Sequence, residues 1–131
     1  MPETQSASQQ VIEEVASWPG VEAGPGDRGS SVAFRLGRRE LGHLHGDRAM
    51  HTGFPREVWI ELREQGRIDY HPVFPDRQGP AAREMRDPDD VRDVIALLRL
   101  NYDRVVASHG LPGEADGQDR GRPVTEGGGG R

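Results

Sequence analysis

A long amphipathic segment near the end of the chain sets the terms for the rest of the fold. Asp87 suits a helix N-cap, Pro88 the first helical position, and Asp89 and Asp90 complement the positive end of the helix dipole. Val91, Val94, Ile95, Leu98, Tyr102 and Val105 then recur at helical spacing up to His109-Gly110. Such a stripe needs an apolar surface to pack on, and the shorter elements upstream must supply it.

Two further helices are predicted. The first covers residues 8–18, with Val11, Ile12, Val15 and Trp18 on one face and Pro19-Gly20 as its stop. The second begins at Pro55, presents Val58, Trp59 and Leu62, and is capped by Gly66. Strands are predicted at 32–36 and 39–45, around a glycine-first pair, Gly37-Arg38, that suits a two-residue hairpin turn. Weaker strands are predicted at 21–23, 49–54, 67–74 and 81–86, and Gly24-Pro25-Gly26 reads as a turn. The order predicts an α+β domain of two layers, a small antiparallel sheet with three helices.

Composition bounds the domain. From residue 110 to 131 the chain holds eight of its 18 glycines, and its only apolar residues there are Leu111, Ala115 and Val124. So little apolar area cannot offset the entropy of ordering, so a folded domain over residues 1–109 and a disordered Gly-rich tail over 110–131 are expected. With 33% apolar and 30% charged residues among 131, the core must be small. The absence of cysteine excludes disulfides, thiolate metal sites and a cysteine nucleophile. No apolar run is long enough to span a membrane, and residues 1–10 lack a signal-peptide pattern, so a cytoplasmic location and no membrane partner are expected. The net charge is −5, every basic residue is arginine, and no basic stripe is present, which argues against a nucleic-acid partner.

The histidines carry the chemistry. If Gly37 and Arg38 make the turn, Phe34 pairs with Leu41 and Val32 with His43. Strand alternation then puts Val32, Phe34, Leu41, His43 and His45 on one face, and Glu40 and Leu44 on the other. His51 follows shortly, and His71 precedes Pro72 in a later strand. Three readings stay open. The histidines are partly buried structural groups; or His-x-His, completed by His71 or His51, chelates a metal; or neutral imidazoles line a small-molecule pocket and take a proton from an enol or phenol. Other catalytic patterns are missing: there is no Gly-x-Ser-x-Gly elbow, no lysine for a phosphate loop, and Asp87, Asp89 and Asp90 mark a helix start.

The block Arg38-Arg39-Glu40-Leu41-Gly42-His43-Leu44-His45, followed by Phe54-Pro55, Gly66 and Tyr70-His71-Pro72, resembles the luciferase-like domain of bioluminescent fungi and of small bacterial luciferase family proteins. The likeness extends through Trp18-Pro19-Gly20-Val21, Phe34-Arg35-Leu36-Gly37 and the closing helix, covering roughly residues 10–107. A looser likeness links the chain to small bacterial domains that share the helix, meander, helix order and end on a pair such as Asn101-Tyr102. The first resemblance implies oxygenation of a small enolic or aromatic compound by molecular oxygen, with no metal or organic cofactor. Carried over by position, Glu40, His43, His45 and His71 are the matching residues. They are the expected catalytic set, with His43 or His45 as base and His71 polarising the substrate oxygen. The alternative is a non-enzymatic ligand-binding or interaction module.

Overall fold

A computed structural model of the chain describes residues 5–26 and 31–111. The expected tail falls, from residue 112 onward, outside the described residues. Helix α1 spans Ala7–Val15, strands β1–β4 span Val21–Pro25, Val32–Leu36, Arg39–His45 and Ala49–Gly53, and helix α2 spans Arg56–Glu64. Strands β5 (Asp69–Tyr70) and β6 (Pro80–Glu84) precede helix α3, Pro88–His109. The six strands form one antiparallel sheet in the order β1-β2-β3-β4-β6-β5. The fold is the expected two-layer α+β arrangement.

Local signals explain the helix ends. The Asp87 carboxylate accepts from the Asp90 amide at 2.9 Å, and Gly110 closes α3 at φ 73°. In α1, Ser6 Oγ accepts from the Gln9 amide while Gln9 Oε1 accepts from the Ser6 amide, a reciprocal capping box. That helix stops at Val15, three residues short of the prediction. Trp18 lies beyond its end, with Nε1 donating to Glu14 Oε2 at 3.0 Å and its ring tilted against Tyr102. The Tyr102 hydroxyl in turn donates to Pro19 O at 2.7 Å, so α1, its exit turn and α3 are tied together. Phe34, Leu36, Leu41, Leu44, Met50, Trp59, Val94, Leu97 and Leu98 centre the core.

Two strand assignments change. Gly24 and Pro25 continue β1 as an edge strand, where a missing N–H is tolerated, so they make no turn. The strand expected over 67–74 shrinks to Asp69–Tyr70 plus one bridge between His71 and Phe74, because Pro72 and Pro75 interrupt the ladder.

The most consequential correction concerns the hairpin. Gly37 does take the turn, at φ 65°, and Leu36 pairs with Arg39. The register then shifts between Arg35 and Phe34: Arg35 pairs with Glu40, but Phe34 pairs with Gly42, leaving Leu41 as an extra residue. Beyond this bulge the alternation is inverted. Gly42, Leu44 and Met50 face α3, and His43 and His45 lie on the opposite face from Phe34, not beside it. Glycine at position 42 is what permits this. A Cβ there meets Leu98 Cδ2 at 2.7 Å and the His51 carbonyl at 3.1 Å.

Candidate functional site

The histidines gather on the sheet face that the helices leave uncovered. His43 and His45 come from β3, and His51 from β4 is the direct cross-strand partner of His43. On β6, His51 pairs with Ala82, whose small side chain leaves space above the strand. His71 arrives from the segment just after β5. Ring centroids lie 5.1 Å apart for His43 and His45, 5.5 Å for His43 and His51, 4.1 Å for His45 and His51, and 4.2 Å for His51 and His71. Four imidazoles from three segments therefore form one continuous cluster.

Glu40 joins them through the bulge. Residues three apart in a regular strand point to opposite faces, and the sequence reading accordingly set Glu40 apart from His43. The extra residue restores them to one side, and Glu40 Oε2 lies 2.6 Å from His43 Nδ1. A carboxylate on Nδ1 fixes the ring and leaves Nε2 as the free nitrogen of His43.

The cluster is electrostatically unfavourable to protons. Burial, with the neighbouring His71, His45 and His43, pushes His51 down to about 4 from 6.5. Burial lowers His45 as well, reinforced by His43 and Arg48. His71 is lowered by burial and by His43 and His45. Near neutral pH these three rings are uncharged, so each offers one donor and one acceptor nitrogen. His45 Nε2 and His51 Nδ1 are buried and find no hydrogen-bond partner among the described residues. His71 Nδ1 accepts from the Val73 amide at 3.1 Å, which places its proton on Nε2.

Two clefts flank the cluster. The larger, of about 620 Å³, is lined by His45, His51, Arg48, Tyr70, Ala82 and Arg86 among others. The smaller, of about 260 Å³, lies between Glu40, His43, Thr52, His71, Phe74 and Pro80. Phe74 closes the cluster at one end, with its ring centroid 5.5 Å from that of His71, and Arg77 stacks over it.

Of the expected set, Glu40, His43, His45 and His71 all reach this face. His51, weighed in the sequence only as a possible metal ligand, stands at its centre. It could be recognised only through the β3–β4 pairing, since nothing local distinguishes it. One nitrogen from each of His43, His51 and His71 lies within 4.8 Å of the others, a set able to hold a metal ion. Among the described residues no helix is long and apolar enough to cross a membrane. Comparison with known families shows that residues 38–101, the stretch holding the whole cluster, match the family model described as Luciferase domain. Comparison with curated proteins and with solved structures returned no match.

Proposed function

We propose that this chain, which belongs to the luciferase-like domain family, binds a small enolic or aromatic molecule over its histidine face and moves a proton on it. His45, at the larger cleft, takes the proton. His43, fixed by Glu40, and His71 hold the substrate oxygen, the latter through its Nε2–H. Losing that proton leaves an electron-rich enolate or phenolate. Reaction of such an anion with molecular oxygen is the extension that the family likeness supplies.

The observation that carries this reading is the convergence of four imidazoles between two clefts, two of them with a buried nitrogen that has no partner among the described residues. A structural histidine normally has its nitrogens satisfied, because an unpaired buried polar atom costs about 1–3 kcal/mol. An outside ligand with an oxygen to share removes that cost.

The test is calorimetric titration of the full chain with a panel of hydroxypyrones and phenols, followed by the ultraviolet spectrum of the bound ligand, which distinguishes its neutral form from its anion. His45→Gln is expected to bind the ligand in its neutral form, where the unaltered chain holds the anion. Absence of binding across the panel, or an ionisation of the bound ligand indifferent to His45→Gln, contradicts the reading.

A further inference from the structure

We infer that His43, His51 and His71 form a site for a divalent transition-metal ion, in departure from the metal-free chemistry that the family likeness implies. The ion would hold the substrate oxygen in place of the direct contacts from His43 and His71, and the inference rests on the ligand-binding reading of this face. The three candidate ligand nitrogens lie within 4.8 Å of one another. Metal–imidazole bonds of about 2.0–2.1 Å require ligand nitrogens roughly 3.3 Å apart in a tetrahedral site. The partly exposed rings of His43 and His71 close that gap on the buried His51 by turning about their side-chain bonds. The backbone already fixes two of the ligands, because His43 and His51 are register partners on adjacent strands.

The surroundings fit such an ion. Glu40 Oε2 on His43 Nδ1, at 2.6 Å, supplies the carboxylate–imidazole relay that orients metal-bound histidines and raises their basicity. A ligand set of imidazoles alone is too soft for calcium or magnesium and suits zinc, cobalt, nickel, copper or ferrous iron. Three protein ligands leave a coordination position for an oxygen of the bound molecule. His45 is outside the trio and remains the free base. His71 must adapt: ligation through Nε2 moves its proton to Nδ1, which opens the contact from the Val73 amide.

The probe is the metal alone. The full chain, stripped with a chelator and dialysed, is titrated with zinc and with cobalt, and its metal content is measured. Stoichiometric uptake, visible cobalt absorption and a shifted Val73 amide resonance are expected. Glu40→Gln should weaken uptake by about 10–100-fold. His51→Ala and His71→Ala should abolish it, whereas His45→Gln and the remote His109→Ala should not. Should His51→Ala fail to fold, His71→Ala decides, because His71 lies outside the named strands. No uptake by the unaltered chain, or uptake that survives His71→Ala, overturns the inference. Enolic ligands that bind equally well to stripped and loaded protein also overturn it, and leave the pocket reading intact. Uptake of metal with no ligand bound by either form supports the ion and sinks the pocket.

Discussion

On the helix-facing side of β3 and β4, Asn101 is 4% exposed, and both ends of its amide have partners. Its Nδ2 donates to Thr52 Oγ1 at 2.8 Å and to Gly53 O at 3.0 Å, and its Oδ1 accepts from Arg104 at 2.9 Å. On the other side of the same strands, His45 and His51 each bury a nitrogen with no partner among the described residues. The two sides are joined at Leu41. The Thr52 hydroxyl donates to the carbonyl of that bulged residue at 2.6 Å, and Asn101 braces Thr52. The helix side spends its polar groups on holding the bulge; the bulge then delivers Glu40 to His43. Asn101 thus finds partners for both ends of its amide, whereas His45 and His51 each keep a bare nitrogen beside a cleft. Arg83 Nε on the helix side is also unpaired among the described residues, but its two terminal nitrogens are held by Asp90, Asp93 and the Arg67 carbonyl.

The largest expected effect lies on the helix side. Asn101→Leu strands the Gly53 carbonyl and loosens Thr52, and should cost about 1–3 kcal/mol in urea unfolding. It should also disturb the Glu40–His43 contact, visible as a change in the His43 ring resonances. A neutral Asn101→Leu would break the contrast between the two sides.

A smaller effect is expected from pH, read on chelator-treated protein. His51 has a folded pKa of about 4 against 6.5 in its ordinary state, so the unfolded chain binds more protons between those values. The stability is therefore fully present above pH 6.5 and falls as the pH drops toward 4. His45 and His71 are shifted in the same direction and add to the slope. Because the rings are only partly buried, a loss of about 1–2 kcal/mol is expected across that window, reduced in His51→Leu. A flat profile, or stability rising on acidification, would mean that the cluster opens to solvent.

Sequence signals reached the helix side further than the histidine side, for a physical reason. The limits of α3 follow from Asp87, Pro88 and Gly110, which act within one turn of helix, and the bounds of β2 and β3 follow from local alternation around Gly37. The identities of Glu40, His43, His45 and His71 were likewise legible, through a distinctive block of residues. Their arrangement was not. A bulge is settled by what packs against the strand, here Leu98 pressing on Gly42, some fifty-six residues away in the chain. A glycine inside a strand is the available hint of such a close approach. Given that hint, the inverted face follows, and with it the meeting of Glu40 and His43. His51 depended on the β3–β4 register, which no local pattern encodes.

The claim at the centre of this account is that the outer-face histidines are kept for a ligand and not for stability. It is tested most directly by measuring unfolding free energy and hydroxypyrone or phenol affinity in parallel on His43→Gln, His45→Gln and His71→Gln. The expected result is stability within about 0.5 kcal/mol of the unaltered chain, as for surface substitutions, with affinity reduced in His43→Gln and His71→Gln. A loss of about 1–3 kcal/mol in all three, with no ligand bound by the unaltered chain, would show that these imidazoles belong to the fold.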